Sequence, residues 1–312
     1  MPTFEGICPA IITPFNADGD LDEAALRQVI EFNIKAGVHG FWVAGGTGES
    51  VLLDDDENRR IAQIAVDQNQ GRINNIMHVG AATTKRAAAL AEHAAKCGVE
   101  AICCVPPFFY GAPDEAIVEH YRVVAAAADL PLFVYNLPSS TGVEITPALI
   151  RKIQDGVPQL VGLKHSGPTF TDVWDFSQMG LACFIGRCQL MLPAMTIGAI
   201  GCIDGPPNVA PELWVEVWNA YQAGDLARAE AAQAKATQVG WAIVNHGFPA
   251  AIKSALSMRL GIDCGGTQAS PSAAEQRHRT QFVRCARQTW DRGAGHLVRP
   301  PARGRDSTHL RV

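Results

Sequence analysis

Lysine is scarce in this 312-residue chain, with seven copies, and one stands where an amine could act as a nucleophile. Lys164 closes the apolar run Leu160-Val161-Gly162-Leu163-Lys164, which reads as a buried strand with the lysine at its carboxyl end. An ammonium stripped of water there favours the neutral amine, the form that adds to a carbonyl carbon. The competing reading from position alone is a lysine paired with a buried carboxylate. The other six, Lys35, Lys85, Lys96, Lys152, Lys235 and Lys253, lie in helical, partly polar contexts and read as solvated or snorkelling cations. The preceding strand ends in Leu132-Phe133-Val134-Tyr135-Asn136-Leu137-Pro138, which carries the Tyr135 phenol to the same rim as a group able to relay protons. A third cluster is Gly45-Gly46-Thr47-Gly48-Glu49-Ser50. Its glycines let backbone N–H groups approach a small anion, with the Thr47 hydroxyl beside them, and the carboxylate of a 2-oxo acid fits such a cradle. A plain tight turn is the alternative. His39, His78, His93, His120, His165 and His246 make no metal-ligand spacing and read as structural. His165, adjacent to Lys164, should face the other side of a regular strand.

These groups need strands to aim them. Apolar runs at 6–14, 40–45, 75–81, 101–106, 131–137, 160–165, 182–186 and 199–203 alternate with helical spacing at 21–36, 57–68, 84–97, 113–128 and 146–153. The strands are nearly continuous in apolar character, as expected of a parallel sheet covered on both faces. Lys35-Ala36-Gly37-Val38 and Lys96-Cys97-Gly98-Val99 repeat the same helix-end-to-strand signal. Eight such βα units predict a (β/α)8 TIM barrel over 1–210. A doubly wound sheet would offer a glycine-rich loop after its first strand, and Pro14-Phe15-Asn16 is not one. Helical stretches at 211–239 and 248–260 predict a C-terminal helical extension over 211–264.

Composition excludes several other classes. With 47% hydrophobic and 18% charged residues, a net charge of −5 and a pI near 6.0, the chain is neither disordered, collagen-like nor a small disulfide scaffold. The charge-free run 236–252 is too short for a membrane span and contains Gln238, Asn245, His246 and Pro249. The start, Met1-Pro2-Thr3-Phe4-Glu5, lacks the basic and apolar regions of a signal peptide. Nine cysteines, an odd number without a CxxC, point to free thiols in a reducing cytoplasm. Residues 265–312 differ: nine Arg, no Lys and three acids give +6, leaving −11 for the rest. This Arg-rich tail, with its Arg-Pro-Pro-Ala-Arg-Gly-Arg run, reads as a disordered or frameshifted end. Binding of nucleic acid or anionic lipid is the other reading, weakened by having only Phe282 and Trp290 as aromatics.

Taken together, Gly-Gly-Thr-Gly-Glu at 45–49, Tyr-Asn-Leu-Pro-Ser-Ser-Thr-Gly at 135–142 and Gly-Leu-Lys at 162–164 resemble, in order and spacing, the N-acetylneuraminate lyase/dihydrodipicolinate synthase family. The resemblance implies a TIM barrel, a homotetramer and class I (Schiff base) chemistry on pyruvate or another 2-oxo acid, with no cofactor beyond an imine on Lys164. Carried over, Lys164 is the imine-forming lysine and Tyr135 the proton shuttle. Gly46, Thr47 and Gly48 hold the carboxylate, Ile203 lines the pyruvate pocket, and Ser140, Gly186 and Gln189 bind substrate. Three departures count against a dihydrodipicolinate synthase: Gly46 replaces a relay Thr, Phe109 replaces a relay Tyr that a neighbouring subunit donates (Tyr110 is one residue late), and Ser140 replaces an Arg that grips a carboxylate. Segments such as His78-Val79-Gly80-Ala81 and Gly162-Leu163-Lys164-His165-Ser166 resemble animal-type sialic acid lyases. Those lyases hold the sugar's polyol tail with an Asp-Glu pair where this chain has Cys188-Gln189, so a smaller or less hydroxylated 2-oxo acid is expected. The expected activity is cleavage to pyruvate plus an aldehyde. Dehydration of a 2-keto-3-deoxy sugar acid is the alternative by the same imine, and a non-catalytic 2-oxo acid binder is the alternative of another class.

Overall fold

The computed structural model describes residues 3–268. In chain order the first half holds β1 (Gly6–Ile7), α1 (Glu23–Lys35), β2 (Gly40–Val43), α2 (Asp55–Asn69), β3 (Asn74–His78), α3 (Thr84–Cys97), β4 (Ala101–Cys104) and α4 (Asp114–Ala128). Then come β5 (Leu132–Asn136), α5 (Pro138–Thr141), α6 (Pro147–Gly156), β6 (Leu160–His165), α7 (Asp172–Gln178), β7 (Ala182–Ile185), α8 (Met191–Thr196) and β8 (Gly201–Cys202). Three helices follow: α9 (Pro211–Gln222), α10 (Leu226–Asn245) and α11 (Ala250–Leu260).

All eight strands pair in parallel, in the order β1-β8-β7-β6-β5-β4-β3-β2. The ring closes beyond β1, where Trp42 donates its N–H to the Pro9 carbonyl and Ile11 donates to the Trp42 carbonyl, both at 3.0 Å. Only Gly6 and Ile7 form a regular ladder in the expected 6–14 run, because past Pro9, which has no N–H, the chain shares its hydrogen bonds between β8 and β2. This is the (β/α)8 TIM barrel, with an added helical part at its C-terminal end.

Side chains alternate along each strand. Trp42, Phe133, Tyr135 and Phe184 fill the lumen, while Phe41, Val43, Leu132, Val134 and Ile185 pack outward against the helices. Gly162 is held to glycine because any side chain would strike the Ala182 carbonyl and the Phe133 ring.

Two expectations need correction. The 211–239 stretch is two helices, broken at Gly224, whose φ of +74° suits glycine, and restarted by Asp225, which accepts the Arg228 N–H at 3.0 Å. Lys253 is not a solvated cation. Its side chain is 0% exposed and ion-paired at 2.6 Å with Glu49, itself 4% exposed. The helices α5, α7 and α8, of 4, 7 and 6 residues, are too short to show a period and were not expected. No helix among the described residues is long and apolar enough to cross a membrane. The Arg-rich tail lies outside the described residues from 269 onward.

Candidate active site

Lys164 is the fifth residue of β6 and stands opposite Tyr135 of β5. That register depends on an irregularity: Leu132 pairs with Leu160, but Phe133 pairs with Gly162, so one extra residue enters β6. A bulge of this kind re-aims everything after it. It turns Gly162 and Lys164 to the same side as Phe133 and Tyr135, into the lumen. There Lys164 is 3% exposed, and its Nζ donates a hydrogen bond to Tyr135 Oη at 3.2 Å. Among the described residues no carboxylate lies within ion-pairing distance of Lys164, whereas Lys253 has Glu49. The paired-lysine alternative therefore describes Lys253, not Lys164.

Two rings flank the Lys164 amine, Tyr135 at 4.3 Å and Trp42 at 5.4 Å from Nζ to ring centroid. The Trp42 and Tyr135 rings meet edge-to-face at 5.4 Å. Positive charge on that nitrogen, in an ammonium or a protonated imine, gains from both ring faces. Trp42 was not anticipated. The alternation of Phe41, Trp42 and Val43 in β2 is the signal that could have found it. His78 completes this layer, buried, with its ring 6.2 Å from that of Tyr135 and neither nitrogen hydrogen-bonded. Burial, reinforced by the charge of Lys164, pushes the His78 pKa down to about 4, so the imidazole is neutral near pH 7.

The turn after β2 explains its own composition. A side chain at 45 would begin 2.5 Å from the Trp42 indole, and one at 48 would begin 2.9 Å from the Ile11 carbonyl. At Gly46 the nearest atom to such a side chain among the described residues, its own chain neighbours aside, is Tyr135 Oη, at 3.6 Å. Gly46 thus leaves space beside the phenol that a larger residue would fill. Gly46–Gly48 form one turn of 3₁₀ helix, in which Thr47 is buried and Gly48 accepts the Thr13 hydroxyl at 2.8 Å. The first N–H groups of such a turn have no partner within it.

Of the other expected residues, Ile203 is fully buried in the lumen cluster with Tyr135. Gly186 donates its N–H to the His165 carbonyl at 2.7 Å, and any side chain there would overlap Ser166. Ser140 is exposed on α5. The Gln189 amide lies against Gly240 of α10. The structure therefore brings Lys164, Tyr135 and Gly46 together, with Ile203 in the same lumen cluster as Tyr135. His165 faces outward as expected: its Nδ1 takes a hydrogen bond from Asn136 at 3.2 Å, and its Nε2 reaches the Thr169 carbonyl at 3.0 Å. Asn136 also exchanges hydrogen bonds with the N–H and carbonyl of Ile145, so in Tyr-Asn the tyrosine serves the lumen and the asparagine anchors the loop behind it.

Among the described residues no group of three His, Cys, Asp or Glu is placed to hold a metal ion. Eight cysteines are described and all are free. Burial raises the Cys103 and Cys188 thiols well above the usual range, which makes them poor nucleophiles.

The order of strands and turns around this lysine is shared with known proteins, and a model of the dihydrodipicolinate synthetase family matches residues 3–289. The chain belongs to that family. It is an enzyme of the family's lyase class. Among family relatives, an uncharacterized DapA-like lyase of Halobacterium salinarum is 36% identical over 263 residues, 83% of this chain and 86% of that one. A 4-hydroxy-tetrahydrodipicolinate synthase of Methanopyrus kandleri is 34% identical over 258 residues, 81% of this chain and 86% of that one. CdNal from Clostridium difficile, solved with mannosamine, superposes with a TM-score of 0.86 at 27% identity, covering 92% of this chain and 99% of that one.

Proposed function

We propose that this family member is a Schiff-base lyase that cleaves a 2-oxo acid to pyruvate and an aldehyde, in the manner of N-acetylneuraminate lyase. The observation that carries this reading is a buried lysine, without a carboxylate partner among the described residues, hydrogen-bonded to a tyrosine at the carboxyl end of adjacent barrel strands.

Nζ of Lys164 adds to the C2 carbonyl, and the carbinolamine oxygen, protonated by Tyr135, leaves as water, giving an iminium. The C3–C4 bond breaks with its electron pair flowing to the imine nitrogen, while the C4 hydroxyl gives up its proton and becomes the aldehyde. Tyr135 relays a proton to C3 of the resulting enamine. Water then hydrolyses the imine and frees pyruvate and Lys164. The backbone of Gly46–Gly48 with the Thr47 hydroxyl takes the substrate carboxylate, and Ile203 walls the pyruvate methyl. The imine is the electron sink, and no cofactor enters the scheme. Branching from the same iminium, loss of a C3 proton in place of C3–C4 cleavage gives an enamine that expels the C4 hydroxyl as water, which is the dehydratase alternative.

The synthase activity named for the Methanopyrus kandleri relative is a poorer fit. Gly46 offers Tyr135 no hydroxyl, and Ser140 is an exposed neutral group where an Arg would clamp a second carboxylate. Phe109 and Tyr110 are 85% and 78% exposed, a large apolar surface on one loop that supports burial in a homotetramer. Analytical ultracentrifugation would test that assembly. Buried free thiols favour a cytoplasmic location.

Incubation with pyruvate and borohydride, read by intact mass, is the direct test. An adduct on the wild type that is absent from Lys164→Ala is expected. No adduct on the wild type would leave a non-catalytic binder, and an adduct on the variant would move the nucleophile elsewhere.

A further inference from the structure

We infer that the aldehyde half of the substrate is an aryl group or a similarly planar apolar body, an inference that rests on the Schiff-base reading above. Apolar side chains reach the carboxyl-end mouth of the barrel from opposite sides. Phe108 after β4 and Leu137 after β5 are half-buried and pack on the lumen cluster that contains Tyr135 and Ile203. Across from them the Phe248 ring lies directly over Gly205, just past β8, where any side chain at 205 would collide with it. Phe248 is nevertheless 43% exposed. Val244, exposed as well, stands one helical turn beyond Gly240, the residue of α10 that seats on Gln189.

Asp204 and Cys188, at the ends of β8 and β7, are already committed to the protein. The Asp204 carboxylate accepts the N–H of Cys188 at 2.8 Å with one oxygen and the N–H of Gly205 at 2.7 Å with the other. The Cys188 carbonyl accepts from Gln233 at 3.1 Å and from the Trp214 indole at 3.4 Å. The Gln189 side-chain amide oxygen, Oε1, takes the Cys188 thiol at 3.7 Å. A hydroxylated tail would therefore find the Asp204 carboxylate and the Cys188 carbonyl already occupied. An aromatic ring instead finds ring edges at Phe108 and Phe248.

The test uses the full chain in two stages. Borohydride trapping with pyruvate alone establishes whether the imine forms; its failure would overturn the Schiff-base reading and this inference with it. Where trapping succeeds, pyruvate is offered with benzaldehyde, glyceraldehyde or aspartate semialdehyde, and carbon–carbon bond formation is followed. Benzaldehyde is expected to exceed glyceraldehyde in kcat/KM by about tenfold to a hundredfold, the range in which an apolar pocket rejects added hydroxyls. Phe248→Ser should lower that preference about tenfold, chiefly through KM, and Phe248→Tyr should restore most of it, with circular dichroism melting to confirm that both fold. Efficient trapping combined with equal or better use of glyceraldehyde or the semialdehyde, or a preference untouched by Phe248→Ser, would overturn the inference while leaving the Schiff-base reading intact.

Discussion

Tyr135 touches the amine that carries the proposed chemistry, so its removal separates binding from turnover. Tyr135→Phe should still form the borohydride-trappable imine while kcat falls by about 10²–10⁴, the usual contribution of a positioned acid–base group. A loss below about threefold would take the phenol out of the mechanism. The neighbouring glycines give a second contrast. Gly45→Ala drives a methyl to 2.5 Å from the Trp42 indole, which is locked in the lumen, and should cost about 1–3 kcal/mol through overpacking. Gly46→Ala meets only Tyr135 Oη at ordinary contact distance and should stay within about 1 kcal/mol of wild type. Urea denaturation of the two variants checks the ranking, and equal losses would refute the packing account. The residue types of this turn were legible in the sequence. The reasons were not, because Ile11 reaches Gly48 from the segment after β1 and the Trp42 indole, three residues before Gly45, folds back over it only once the lumen is packed.

At the scale of elements, α11 is tied to the turn after β2 by the buried Lys253–Glu49 pair. Lys253 Nζ also donates to the Gly266 carbonyl at 2.6 Å and sits 4.3 Å over the Phe15 ring. Burial pushes the Lys253 pKa down, and Glu49 opposes that shift. Lys253→Met should leave a buried carboxylate uncompensated and destabilise the fold by about 3–5 kcal/mol, with the double variant Lys253→Met/Glu49→Gln recovering part of the loss. A single-variant cost under about 1 kcal/mol in chemical denaturation would show that the pair does not anchor the helix. The sequence hid this pair: Lys253 and Glu49 lie in different elements far apart in the chain, and a lysine in a helical pattern looks solvated until its helix is docked.

For the whole molecule, buried histidines set the acid limit. Burial pushes both His78 and His120 down to about 4, and lowers His39 and His165 too. The unfolded chain binds protons at these rings below about 6.5 while the folded chain does not until near 4, so stability must fall as pH drops through that window. Urea midpoints at pH 7 and pH 5 should show the decline, and His120→Asn should shallow it. Carboxylates held low by arginine, such as Glu31 at about 2, add their own loss only at lower pH. Identical midpoints at pH 7 and pH 5 would contradict the burial of these rings.

The sequence by itself determined the eight-strand barrel, a lysine and a tyrosine at the carboxyl ends of neighbouring strands, the glycine turn and the family, because these follow from period, composition and short motifs that are local in the chain. Tertiary structure alone decided which lysine is free and which is paired, since that depends on carboxylates brought from distant elements. It also decided that Tyr135 faces Lys164, through one extra residue between Leu160 and Gly162 that no local pattern marks. Last, it decided the character of the mouth, where Phe108 and Leu137 pack on the lumen cluster and the Phe248 ring covers Gly205, while Asp204 spends both oxygens on backbone N–H groups. Side chains become neighbours across a barrel only when the ring closes, and a linear sequence carries no term for that closure.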